Sequence, residues 1–124
     1  MELLFIIEYN GEDIKKKILE VIEKTGCEKV NIIAHSKGGL DSRYAISILG
    51  MDKYTASLTT ISTPHRGCIF VDKMCRLPEK LHRGVAKFYD NMFKRLGDKN
   101  PDFYGATHQF TTHNSKEFNE KVID

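Results

Sequence analysis

The residues best placed to do chemistry lie in the run Val30-Asn31-Ile32-Ile33-Ala34-His35-Ser36-Lys37-Gly38-Gly39-Leu40. A β-branched, strand-like stretch ends at Ser36, and small residues open a helix-like stretch after it. A corner that sharp brings the positions two before and two after its apex together, so both must be small. They are Ala34 and Gly38, and Gly39 lets the helix start close to the strand. The apex of such a corner is expected at positive φ, a strained state that surrounding structure must enforce. The strain would lift the Ser36 hydroxyl clear of the sheet. It would also aim the Lys37 N–H at the place where a tetrahedral oxyanion forms, with the helix N-terminus adding favourable potential. The pattern is a variant of G-x-S-x-G with Ala34 in the first glycine place, which points to a nucleophilic serine and acyl transfer. The competing reading is a serine that caps a helix in an ordinary connection. A phosphate-cradling loop fits worse, because the order G-x-x-x-x-G-K-[ST] is absent.

The elements that must position this corner follow from periodicity. Glu2 to Tyr9 is a short apolar run that reads as a buried strand. Asn10 and Asp13 resemble a capping box, and Ile14, Ile18, Val21 and Ile22 recur at helical spacing up to a stop at Gly26. Lys15, Lys16 and Lys17 read as part of that helix's solvated face. Val30 to Ala34 is a second strand. Leu40, Tyr44, Ala45 and Ile48 share a helix face that Gly50 ends, and Ala56 to Ser62 is a third strand, closed by Pro64. Strand, helix, strand, helix, strand implies two right-handed βαβ units and a parallel sheet. The fold class is therefore α/β, with a partial doubly wound sheet core over residues 1–67. Residues 68–124 form a helical cap or lid segment of the same domain.

In that cap, Leu81, Val85, Phe88, Tyr89, Met92, Phe93 and Leu96 line one side of a helix over 79–96. Lys80, Arg83, Lys87, Lys94 and Arg95 surround the rest. Such a helix either covers an acyl pocket and meets lipid, or simply packs on a core. Gly97 and Asp98 mark a turn, and Asn100, Pro101, Asp102 and Gly105 a loop. Asn114 and Glu117 suggest a capping box for a last helix through Phe118 and Val122.

Composition sets bounds. A chain of 124 residues is one domain, and 40% hydrophobic with 29% charged residues is ordinary for a soluble globular protein. A net charge of +2 is too small to argue for nucleic acid. No signal peptide or membrane span is visible, so the expectation is a cytoplasmic protein if this is the whole chain. Cys27, Cys68 and Cys75 match no zinc spacing and read as small, mostly buried thiols. The five histidines show no paired ligand spacing, so neither a metal nor a cofactor is expected.

Around these motifs the chain resembles the bacterial triacylglycerol lipases of the α/β-hydrolase fold. Glu28 to Tyr44 is similar to their strand, H-S-x-G-G elbow and Arg-Tyr pair. Leu58-Thr59-Thr60-Ile61-Ser62-Thr63-Pro64-His65-Arg66-Gly67 is similar to their next strand and T-P-H-x-G loop. Phe118-Asn119 is similar to a pair that precedes their later strands, although Val122-Ile123-Asp124 stands where a proline often follows. The resemblance implies ester hydrolysis through an acyl-enzyme on Ser36, with the Lys37 N–H in the oxyanion hole. Ala34, His35, Gly38 and Gly39 are then framework. His35 would pack or hydrogen-bond locally. His65 would flank the site without being the base.

The same fold supplies its acid and base after later strands, in the order serine, acid, histidine. Those residues have no matching positions in this chain. Asp72, Asp90, Asp98 or Asp102 could precede His108 or His113 in that order, but no spacing recommends them. The expectation is a lipase- or esterase-like hydrolase of acylglycerol-type esters, truncated or incomplete and weak alone. It would act on an ester or lipid substrate, with a possible lipid interface and association through exposed sheet edges. The alternative is a non-catalytic lipid- or partner-binding module that retains the elbow.

Overall fold

The computed structural model describes residues 2–97, 104, 105 and 111–122. The expected loop residues Asn100, Pro101 and Asp102 lie outside them, as do Asp98 and His108. Contacts divide the chain into two compact units, Met1–His65 with Phe118–Asp124, and Arg66–Glu117.

The first unit opens on helix α1, Glu2–Thr25. The strand expected over Glu2–Tyr9 is instead the start of this helix. In a mostly apolar run, periodicity does not separate strand from helix. The longer stripe does, because Ile7, Gly11, Ile14 and Ile18 fall on one helical face, and Ile7, Gly11 and Ile18 are buried. Gly11 explains why that face can pack so closely. A Cβ there would come within 2.7 Å of Tyr44 Cδ1. Asn10 is accordingly no cap. It sits inside α1, and its Nδ2 reaches Asp41 Oδ2 at 3.4 Å.

After α1 come β1 (Val30–His35), α2 (Lys37–Ser47), a 3₁₀ turn (Met51–Tyr54) and β2 (Thr55–Ile61). β1 and β2 pair in parallel, from Val30 opposite Thr55 to His35 opposite Ile61, with one irregularity between Val30 and Asn31. Among the described residues there is thus one βαβ unit, not two, because the first expected strand is helical. Ile18, Ala45 and Met51 form a core cluster of this unit, with Ile14, Ile22, Val30, Ile32, Leu49 and Tyr54 against it. Each large apolar side chain buried there contributes roughly 1.5–3 kcal/mol.

This core lies on the sheet face that carries Val30 and Ile32. The opposite face carries Asn31, Ile33 and His35 with their partners Ser57, Thr59 and Ile61, and all six are exposed. Ile33 is 74% exposed. Parallel sheets are ordinarily covered on both faces. Here the described residues leave one uncovered.

The second unit holds α3 (Ile69–Cys75), which the sequence reading missed, and α4 (Glu79–Arg95). Among the described side chains of α4, His82 and Ala86 are buried, while Leu81, Phe88 and Met92, with Leu96 just past its end, are exposed. That part of the apolar stripe therefore faces outward, and the reading of a core-packing helix does not hold for those four residues, while Val85 and Tyr89 are half-buried. Helix α5 spans Thr112–Lys121. Its cap is Thr111 rather than Asn114, because Thr111 Oγ1 accepts the Asn114 N–H. Asp72 reinforces this start, accepting both the N–H (2.9 Å) and the hydroxyl (2.8 Å) of Thr112. Gly105 falls in a helical turn rather than a loop. The three cysteines are free and half-buried, less buried than expected.

Candidate active site

Ser36 stands between the last residue of β1 and the first of α2, at φ 52° and ψ −129°. Its side chain makes no capping hydrogen bond to α2. A serine kept there for capping would lose nothing at negative φ and would bond the helix N–H groups. This one bears the strain without the bond, so the capping explanation fails. Ala34 and Gly38 meet as the corner requires, since a Cβ on Gly38 would lie 3.9 Å from the Ala34 Cβ.

The corner is tied to the neighbouring strand. The Ser36 N–H donates to the Ile61 carbonyl at 2.9 Å. The Ser36 carbonyl accepts the Thr63 hydroxyl at 2.8 Å and the Gly39 N–H at 3.2 Å. Lys37 is the first residue of α2, so its N–H belongs to the group that has no carbonyl partner within the helix. Its ammonium is 2.6 Å from Asp41 Oδ1. Burial pushes the Asp41 carboxyl above its ordinary range, opposed by Lys37 and then Asn10.

His35 does not pack locally as expected. It points from the uncovered sheet face and is exposed, because no described element lies over that face. His65 is fully committed elsewhere. Its Nδ1 is 3.4 Å from Arg43 Nη1, and its Nε2 is 3.0 Å from Thr60 Oγ1. Arginine only donates, so Nδ1 accepts, the proton sits on Nε2, and it is given to Thr60. Arg43, only 7% exposed, also donates to Asn119 Oδ1 at 2.8 Å and lies over the Phe118 ring. Asn119 Nδ2 returns a bond to the His65 carbonyl at 2.8 Å. This network of Arg43, Thr60, His65 and Asn119 escaped the motif reading, although its members lie in the three blocks quoted above. Their separation in sequence conceals that they converge.

The other candidates that the structure describes are Asp72, Asp90 and His113, all in the second unit. Asp72 is occupied at the start of α5, where it accepts from Thr112. The His113 side chain is 80% exposed, 3.7 Å from Glu117 one helical turn on. Asp90 lies on α4. Among the described residues, no three His, Cys, Asp or Glu side chains form a metal-ligating group. Nor, among them, is any helix long and apolar enough to cross a membrane.

Comparison with known proteins places this corner in context. Residues 6–90 match the model of the family described as "Putative serine esterase (DUF676)". Over 62 residues the chain is 47% identical to a triacylglycerol lipase of Pseudarthrobacter phenanthrenivorans, covering 50% of this chain and 19% of that one. Over 70 residues it is 43% identical to triacylglycerol lipase 2 of Saccharomyces cerevisiae, covering 56% of this chain and 22% of that one. Among solved structures it is similar to the mature form of the Bacillus licheniformis lipase BlEst2. The TM-score is 0.66 at 25% identity, over 94% of this chain and 41% of that one. The fold is thus part of an α/β-hydrolase fold, and the chain spans about a fifth of the length of these curated relatives.

Proposed function

We propose, from the premise that the chain belongs to this serine esterase family, that Ser36 is the nucleophile of a lipase- or esterase-like hydrolase. Its substrates are carboxylic esters of the acylglycerol class, in keeping with the triacylglycerol lipases it resembles. One observation carries the reading: a non-glycine residue held at positive φ at a strand-to-helix corner, without a capping bond. Attack by the Ser36 Oγ on the ester carbonyl forms a tetrahedral oxyanion. Collapse of that oxyanion expels the alcohol and leaves an acyl-serine for water to cleave. The Lys37 N–H is the oxyanion donor, and the α2 N-terminus adds to the potential. Ala34, Gly38 and Gly39 are the small framework residues of the corner, and His35 is framework rather than base.

Neither described histidine of the unit that carries Ser36, His35 or His65, has the role of a general base. His65 is spent on Arg43 and Thr60, and His113 sits beside Glu117. An unassisted serine hydroxyl is a weak nucleophile near neutral pH. The chain alone therefore turns over esters slowly. The test is hydrolysis of a short-chain nitrophenyl ester, compared with Ser36→Ala. The expected outcome is Ser36-dependent turnover well below about 1 s⁻¹, the low end of ordinary enzymes. Faster turnover would mean that the chain supplies a base.

The outward apolar stripe of α4, rimmed by basic residues, supports contact with a lipid interface, as in a lid. A second reading, a non-catalytic module that binds a partner, draws on the uncovered sheet face and on the outer edge of β1. That edge borders a groove of about 480 Å³ between α1, β1 and α2, lined by Ile14, Ile18, Val21 and Ile33. Association through the edge would make the chain oligomeric in light scattering.

A further inference from the structure

We propose that Thr63 is a positioning residue whose hydroxyl fixes the Ser36–Lys37 peptide and thereby aims the Lys37 N–H. The inference deepens the reading of Ser36 as nucleophile and rests on it. The starting observation is the pair of bonds on one carbonyl. The Ser36 oxygen accepts from Thr63 Oγ1 at 2.8 Å and from the Gly39 N–H at 3.2 Å. No peptide bond described here is cis, and in a trans peptide the carbonyl and the next N–H point in opposite directions across one rigid plane. Whatever holds the Ser36 carbonyl therefore orients the Lys37 N–H. A hydrogen bond on the carbonyl also polarises the amide, which makes its N–H a stronger donor. The Gly39 bond is the longer of the two and belongs to the first turn of α2. The Thr63 bond comes from outside that helix, and so pins the plane against the neighbouring strand.

Two further features are arranged around this contact. A Cβ on Gly39 would lie within 3.0 Å of Oγ1, Cγ2 and Cβ of Thr63 alike. The second glycine after the serine thus makes room for the threonine, not only for the sheet. The loop that delivers Thr63 is also strained and anchored. Ser62, the residue after β2, has φ 52°, the same positive value as Ser36. The His65 N–H then bonds back to the Thr63 carbonyl at 2.9 Å, around Pro64. Arg43, Thr60 and Asn119 hold His65 in turn. The histidine of this loop therefore serves to keep Thr63 against the elbow, which gives its half-buried network a purpose that the triad does not.

The experiment compares Thr63→Val, which keeps the shape and removes the hydroxyl, with Thr63→Ser, which keeps the hydroxyl. Thr63→Ala serves beside them in case valine disturbs the fold. Two readouts are taken on the full chain: the rate of Ser36 phosphonylation by a fluorophosphonate probe, and the ¹⁵N shift of the Lys37 amide. Loss of the hydroxyl should slow labelling about tenfold, the worth of one hydrogen bond, and move the Lys37 ¹⁵N resonance upfield. Serine should restore both. Labelling and Lys37 shift that are unchanged in both hydroxyl-less variants would overturn the inference. If the wild-type chain shows no Ser36 adduct, the nucleophile reading falls. The Lys37 shift then still decides, on its own, whether Thr63 sets that peptide.

Discussion

Gly39→Ala gives the sharpest test of how the elbow is packed, because two effects of opposite sign meet at one atom. Gly39 is the third residue of α2. On helix propensity alone, alanine would stabilise by up to about 1 kcal/mol. Against this, the new methyl would lie 2.7 Å from Thr63 Cγ2 and 2.9 Å from Thr63 Cβ. Because the Cβ itself is too close, no rotamer of Thr63 relieves the overlap, and the Ser62–His65 loop must shift. Overpacking of that kind costs about 1–3 kcal/mol. The shift also breaks the Thr63 bond to the Ser36 carbonyl, worth about 0.5–1.5 kcal/mol. The clash wins, with a net loss of about 2 kcal/mol. In urea denaturation this lowers the midpoint by about 1 M at a slope of roughly 1–3 kcal/mol per molar. In Gly39→Ala/Thr63→Ala most of the overlap is gone, so the double variant should be more stable than the sum of the single losses by about 1 kcal/mol. A midpoint that rises in Gly39→Ala, or strict additivity with Thr63→Ala, would refute the packing argument.

Arg43→Met removes the donor to Asn119 Oδ1 and His65 Nδ1 inside the first unit. It should cost about 1–3 kcal/mol in unfolding experiments, and a loss under about 0.5 kcal/mol would contradict the network. The Thr112 N–H and hydroxyl hold the Asp72 carboxyl below its ordinary range. Its hold on the start of α5 should therefore be fully present above the unfolded carboxylate value of about 3.9 and be lost as pH falls through the lower folded value. Amide exchange of α5 at low pH should show this, and an unchanged pH profile in Asp72→Asn would argue against it. Leu81→Ser with Phe88→Ser should reduce co-sedimentation with anionic phospholipid vesicles while circular dichroism is preserved. Equal partitioning would mean that the outward stripe of α4 does not meet lipid.

Periodicity carried a good part of this architecture, and the places where it fell short have physical causes. The strand-to-helix corner was legible because sterics restrict its residues so tightly that Ala34, Gly38 and Gly39 reveal it. β1, α2 and β2 were found within a residue or two, except for the start of α2. Glu2–Tyr9 was misread because a short apolar run suits a buried strand and a helix equally. What decided it was Gly11 packing against Tyr44, a contact 33 positions away in sequence that no local window contains. Helix α3 went unseen because Ile69–Cys75 is too short to display a period. The Thr63 bond and the Arg43–His65–Asn119 network were invisible for the same reason as Gly11. Each joins residues from different elements, so sequence could quote the members but not their meeting. The outward direction of the α4 stripe likewise depends on what covers it, which amphipathicity alone does not state.

The most direct test of the central claim is the location and pH dependence of fluorophosphonate labelling, mapped by peptide mass spectrometry. Ser62 serves as an internal control, being a serine at the same φ just after the adjacent strand. The account predicts one adduct, on Ser36, abolished in Ser36→Ala. Its rate should rise about tenfold per pH unit through neutrality, because neither described histidine of the unit that carries Ser36 serves as its base; a histidine base would level the profile above about pH 6.5. Absence of an adduct on Ser36, or equal labelling of Ser62 and other serines, would contradict the claim that this corner activates Ser36.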